Sequence, residues 1–117
     1  MPEAKTYTVT ELNSAIRRLL ENRFPFISVQ GEISDLRQPY SGHIYFTLKD
    51  EQAQLKAVLF KMQQRYLDRQ PANGQSVTCR GRLSVYTPRG DYQLIVDSID
   101  FQGSGSLQAA VERLKRK

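Results

Sequence analysis

The sequence predicts a mainly β fold, a five-stranded barrel with one helix before it, one between its third and fourth strands and one after it. Three observations carry this expectation. Five segments alternate apolar and polar residues with the period of two that a half-buried strand requires. Glycines, Gly31 and Gly81, stand inside the first and fourth of these segments, where a long strand has to bend to wrap a barrel. The segments also come as three, then a helical stretch, then two, and an open meander of the same strands would leave unpaired edges and give the central glycines no purpose.

Each element has its own local cause. Thr8 and Glu11 have the spacing of a capping box, and Leu12, Ala15, Ile16, Leu19 and Leu20 follow at helical intervals, so an amphipathic helix is expected over about 10–22, with an apolar stripe that must dock on something. Pro25 ends it. Ile27, Val29, Gly31 and Ile33 line one face of the first strand; Ile44, Phe46 and Leu48 line the second, over 43–49. A polar turn at Asp50, Glu51 and Gln52 leads into the third, with Leu55, Ala57 and Leu59 inward and Lys56 and Val58 outward, making a hairpin. Residues 61–70 read as helical, with Met62 and Tyr66 one turn apart, until Pro71 and Asn73-Gly74 break the pattern. The fourth strand places Val77, Cys79, Gly81, Leu83 and Val85 inward and Thr78, Arg80, Arg82, Ser84 and Tyr86 outward. Thr87 to Asp91 has the composition of a turn, and Leu94 and Val96 continue a fifth strand to about Phe101. Gly103-Ser104-Gly105 reads as a hinge, and Ser106 caps a second amphipathic helix bearing Leu107, Ala110, Val111 and Leu114. Since that helix runs to the last residue with no capping glycine, the sequence is expected to continue in a longer protein. This element order is that of the OB barrel.

Composition narrows the function. A chain of 117 residues is the size of one domain and buries about two-thirds of its unfolded surface. The single cysteine, Cys79, rules out an internal disulfide and a cysteine-based metal cluster, and only His43 could offer imidazole. No signal-like or membrane-length apolar run is present, so a cytoplasmic protein with no membrane partner is expected. The formal charge is +5, but Arg113, Lys115, Arg116 and Lys117 supply four of those positives. A nucleic-acid argument therefore rests on local clustering, not on the isoelectric point. Catalysis has no visible constellation: Asp50 and Glu51 read as a solvated turn, and Asp97 and Asp100 fall on opposite faces by parity. Neither a metal site nor a cofactor site is expected, since metal-dependent hydrolysis needs clustered carboxylates.

The stretch Ser41 to Asp50 carries the functional signal. While Ile44, Phe46 and Leu48 face the core, His43, Tyr45, Thr47 and Lys49 face outward. An imidazole, a ring, a hydroxyl and a cation in one row suit a surface that stacks a base and holds a phosphate. Lys56 lies on the same face across the hairpin. OB barrels bind oligonucleotides on the face around strands two and three together with the loops joining strands one to two and four to five. Arg37 and Tyr40 are assigned to the first of those loops, and Arg89, preceded by Tyr86, to the second. His43 has two readings, a ligand contact or a hydrogen-bonded surface residue, and both stay open. Arg80, Arg82 and Tyr86 form a second outward row leading into the loop of Arg89, and whether Arg80 and Arg82 face the groove or away from it stays open. Tyr92 shares the parity of Leu94 and Val96, which marks it as core or rim.

These residues carry a resemblance. YTVTELN at 7–13, VQGEIS at 29–34, SGHIYFTLKD at 41–50, LKAVLF at 55–60, RGRLSVYTPRGDYQLIV at 80–96 and LQAAVERLK at 107–115 together resemble the N-terminal domain of the large subunit of exodeoxyribonuclease VII. The resemblance implies an OB domain that engages single-stranded DNA ahead of a separate nuclease domain, in a bacterial cytoplasmic enzyme that degrades single strands to oligonucleotides and also has small subunits. That family's catalytic residues lie in the later domain, past Lys117, so none is carried onto this chain, which alone is expected not to be catalytic. The expected organisation is an N-terminal helical extension at 1–25, the barrel at 26–102, and a hinge with the start of a helix at 103–117. Two other readings remain: an anticodon-binding OB domain of a tRNA-handling protein, which would need side chains that read base edges, and a docking or oligomerisation module using the apolar stripes of the terminal helices.

Overall fold

The structure, a computed structural model, describes residues 4–102; the hinge and second amphipathic helix expected at 103–117 lie outside the described residues. The first helix, α1, spans Val9–Arg23. The Thr8 hydroxyl accepts from the Glu11 amide at 3.0 Å and the Thr8 amide donates to Glu11 Oε1 at 2.8 Å, so the expected capping box forms. Five strands follow, β1 (Ile27–Arg37), β2 (Ile44–Lys49), β3 (Gln54–Leu59), β4 (Ser76–Tyr86) and β5 (Asp91–Phe101), with a short helix α2 (Lys61–Gln64) between β3 and β4. They close into a barrel in the order β1-β2-β3-β5-β4.

Closure depends on β1 serving two neighbours. Its first half pairs antiparallel with β4, from Ile27 opposite Gly81 to Glu32 opposite Ser76, and its second half pairs with β2 from Glu32 opposite Lys49. The strand curves between them. Asp35, at φ 51°, sits in the register shift between Ser34 and Arg37, and the Leu36 amide there donates to Asn73 Oδ1 at 3.0 Å. The last joint is the parallel pairing of β3 with β5, Ala57 with Leu94 and Val58 with Ile95. Inside lies a core that includes Ile33, Ile44, Phe46, Leu48, Leu59, Val77, Leu94 and Val96. Cys79 belongs to it, and burial pushes its thiol up to about 12, which leaves it protonated and unreactive at neutral pH.

Three expectations are corrected. The helical pattern over 61–70 yields only the four residues of α2; beyond them Tyr66 and Leu67 donate to the carbonyls three residues back, at 3.1 Å each. This tighter winding lets Leu67 pack against the core. The apolar stripe of α1 is covered only in part among the described residues: Ala15 and Leu20 are half-buried, while Leu12, Ile16 and Leu19, together with Val9, remain exposed. The helix also makes polar contacts with β4 and the turn after it, Asn13 Nδ2 donating to the Thr87 carbonyl at 3.0 Å and the Ser84 hydroxyl donating to Glu21 Oε2 at 2.7 Å. Finally, Asp97 and Asp100 share the solvent side. Arg80 pairs with Ser98 and Gly81 with Val96, so Asp97 is the extra residue of a bulge, and parity flips beyond it to bury both Val96 and Ile99.

Two predictions follow from these contacts. A Cβ added at Gly81 would lie 1.9 Å from the Ile95 carbonyl oxygen, which is backbone and cannot swing aside. Gly81→Ala is expected to destabilise the barrel by about 1 to 3 kcal/mol, the usual cost of overpacking, read as a lowered midpoint in urea unfolding. Glu21 is held below its ordinary value of 4.5, chiefly by the Ser84 hydroxyl and then by Arg17. A carboxyl with a depressed folded pKa contributes stability above its ordinary pKa and loses it as pH falls through the folded value. The melting temperature of Glu21→Gln should therefore fall less steeply than that of the parent as pH is lowered below about 4.5.

Candidate nucleic-acid interface

On β2 the buried Ile44, Phe46 and Leu48 alternate with half-exposed Tyr45, Thr47 and Lys49, as the period of two requires. Across the hairpin Tyr45 stands opposite Val58, Thr47 opposite Lys56 and Lys49 opposite Gln54. On the other side of β2, Arg37 is the register partner of Tyr45 and Ser34 that of Thr47. Arg37 is thus the last residue of β1, not a loop residue as expected, while Tyr40 lies in the connecting loop and is fully exposed. Arg37, Gln38, Pro39 and Tyr45 line an open depression of about 550 Å³. Tyr45 and Arg37 thus share one open surface, and a ring with a cation is the pairing a stacked nucleotide needs.

The sequence reading missed the apolar floor beside Tyr45. Val58 is outward by parity, yet it and its neighbour Ile95 are only 1% and 8% exposed. The alternation of β3 did place Val58 on the same face as Lys56, which was the available signal.

Farther along, two of the expected cations converge on one acid. Lys56 Nζ lies 3.2 Å and Arg89 Nε 3.7 Å from the same oxygen of Asp91, Oδ2. The Arg89 guanidinium also sits over the Tyr86 ring, 5.0 Å from its centroid. Arg37, by contrast, makes no ion pair among the described residues, and Lys49 is held at 3.7 Å by Glu32. Asp91 was read only as the end of a turn; its parity, opposite to that of Tyr92 and Leu94, was the sign that it faces outward.

His43 is placed as a hydrogen-bonded residue. Its Nδ1 accepts from the Lys61 amide at 3.0 Å, and its ring meets Phe60 edge-on at 5.1 Å. Accepting at Nδ1 leaves the proton of the neutral ring on Nε2. With Gln64 Nε2 donating to the Gly42 carbonyl at 2.6 Å, this bond ties the β1–β2 loop to the start of α2 and holds the rim of the depression. Arg80 lies elsewhere, bonded to Asp100 at 2.7 Å on the β4–β5 wall. Arg82 shares the outward row of Ser84, where α1 rests, and β4 neighbours neither β2 nor β3. Tyr92 is exposed at the rim. Among the described residues no group of three or more histidines, cysteines or carboxylates could hold a metal ion, and no helix is long and apolar enough to cross a membrane.

A closed five-stranded barrel carrying an accessible ring and cations between two loops is the arrangement of an oligonucleotide-binding module. Residues 7–100 match the OB-fold nucleic acid binding domain family, and the chain belongs to it. Among curated proteins it is similar to the exodeoxyribonuclease 7 large subunits of Thioalkalivibrio sulfidiphilus (48% identical over 95% of this chain and 25% of that protein) and Vibrio cholerae (50% over 93% and 24%). The chain therefore spans about a quarter of the length of these relatives. Among solved structures it is similar in fold to a chain of the S. pombe Stn1-ten1 complex, with a TM-score of 0.53 and 20% identity over 78% of this chain and 69% of that one. Asparaginyl-tRNA synthetase from Pyrococcus horikoshii aligns with a TM-score of 0.51 and 14% identity over 67% of this chain and 20% of the enzyme.

Proposed function

We propose that this domain binds single-stranded DNA as the substrate-engaging part of an exodeoxyribonuclease 7 large subunit. The observation that carries the reading is Tyr45, half-exposed on the outer face of β2 with Arg37 as its register partner and Val58 opposite, between the two loops that bear Tyr40 and Arg89. Bases stack on Tyr45 and Tyr40, Thr47 lies alongside, and phosphates follow Arg37, Lys56 and Arg89. Every base has a π face, so this mode of binding tolerates any sequence. Tyr86 supports Arg89 from below, and His43 holds the loop that presents Tyr40. In this reading residues 1–25 form a helical extension, 26–102 the binding barrel and 103–117 the lead into further chain. The relatives are about four times as long as this chain, and hydrolysis of the strand is assigned to the part of them it does not span. Their name as large subunits supports a smaller partner subunit, contacted through that same remainder, and a cytoplasmic location fits an enzyme of this kind.

The exposed stripe of Val9, Leu12, Ile16 and Leu19 on α1 favours a second, compatible role in protein contact. Concentration-dependent dimerisation, read by sedimentation and lost in Leu12→Ser/Ile16→Ser, would support it; a monomer at all concentrations would remove it.

Binding is tested by fluorescence anisotropy with labelled oligothymidylate. Tyr45→Ala should weaken it by about 1 to 3 kcal/mol, the cost of one base-stacking ring, while Arg80→Ala should leave it nearly unchanged. Equal effects of the two would show that the strand lies on another wall of the barrel. A structured RNA loop that bound more tightly than oligothymidylate would favour the anticodon-type reading instead.

A further inference from the structure

We propose that Asp91 is a built-in competitor for the phosphates of the bound strand, occupying two of the three cations assigned above to phosphates, Lys56 and Arg89, until a phosphate displaces it. This rests on the single-stranded reading above and adds to it a residue that sets affinity and release.

The geometry is asymmetric in a telling way. Lys56 and Arg89 reach the same carboxylate oxygen, at 3.2 and 3.7 Å, with side chains 64% and 72% exposed, whereas that of Asp91 is 38% exposed. The cations sit on long stems that swing freely. The acid sits on a short stem at the first residue of β5, register partner of Tyr86, and stays with the strand. Exposed ion pairs of this kind are weak, so both cations can exchange partners without disturbing the fold. A phosphate arriving at this end must still displace the carboxylate and then lie near a like charge. Arg37, at the Tyr45 end, meets no such rival among the described residues.

Asp91 consequently weakens the grip at the β3–β5 end of the face and leaves the stacking end unaffected. A strand held this way is anchored by its bases at Tyr45 and readily exchanged along its phosphates. That behaviour suits a domain that passes a strand onward instead of storing it.

The test is the salt dependence of oligothymidylate binding by the parent, Asp91→Asn and Asp100→Asn, with melting curves confirming that all three fold. Three cations on phosphates would give a slope of log affinity against log salt of about −2, at about −0.7 for each contact. In the parent the freed Asp91 takes up a counterion again, so its slope should be shallower. Asp91→Asn should approach the full value and bind about three- to tenfold more tightly at low salt, from the loss of two surface pairs. Asp100→Asn changes net charge equally and frees Arg80 on the other wall, and it should bind like the parent. Lys56→Gln should lower affinity more in the Asp91→Asn background than in the parent.

Asp91→Asn binding no more tightly than the parent would overturn the proposal, because the acid would then position the cations and not compete for them. Equal tightening by Asp100→Asn would also overturn it, by showing an effect of overall charge. Failure of parent and variants alike to bind oligothymidylate would instead remove the single-stranded reading, and this proposal with it.

Discussion

The barrel closes where β3 and β5 run parallel for two registered pairs, Ala57 with Leu94 and Val58 with Ile95, and that short seam determines what stands on the outer wall. Parallel pairing cannot be made by a tight turn and requires a crossover, here supplied by α2 and β4. The inner side of the seam is core, with Ala57 and Leu94 buried in it. Its outer side is the floor of Val58 and Ile95. Because the seam fixes the start of β5 against β3, it also brings Asp91 within reach of Lys56, two residues before Val58.

From this constraint the division of labour along the face follows. Tyr45 and Arg37 lie where β2 meets β1, at the edge of the open depression, and the β1–β2 loop beside them is pinned to α2 through His43 and Gln64. Lys56 and Arg89 lie where β3 meets β5 and share Asp91. One end offers rings with a cation that makes no ion pair among the described residues; the other offers cations already engaged. In the proposed binding mode, affinity from stacking and affinity from paired cations are thus separated along one wall, and only the second is strongly dependent on salt. The wall of β4 is occupied differently, by α1 and by the Arg80–Asp100 pair.

Most of the fold was legible because strand alternation is local. Ile44, Phe46 and Leu48 declare a core face without knowledge of any neighbour, and Thr8 with Glu11 declares the start of a helix. Features that depend on which strands meet were not. The bulge at Asp97 lies opposite the register shift between Arg80 and Gly81, and nothing in the spacing of Asp97 and Asp100 announces it. The stripe of α1 shows that one face is apolar, not that a partner covers it, and the contacts made include the polar one with Ser84. In the candidate site, Tyr45, Thr47 and Lys56 were readable from parity. Asp91 was legible as an outward residue, but its meeting with Lys56, 35 residues earlier, is set by the register of β3 against β5, where Val58 pairs with Ile95. The hydrogen bond that His43 accepts was not legible either, since it depends on where the fold brings the Lys61 amide.

The central claim is that one wall of the barrel, around β2 and β3, receives the strand. Amide chemical shifts recorded by NMR while oligothymidylate is added test it most directly, since they report every wall at once. The account predicts that shifts cluster at Arg37, Tyr40, Tyr45, Thr47, Lys56 and the 87–91 turn, with α1, Arg80 and Asp100 nearly still. Shifts concentrated on α1 and the outward row of β4 would contradict it.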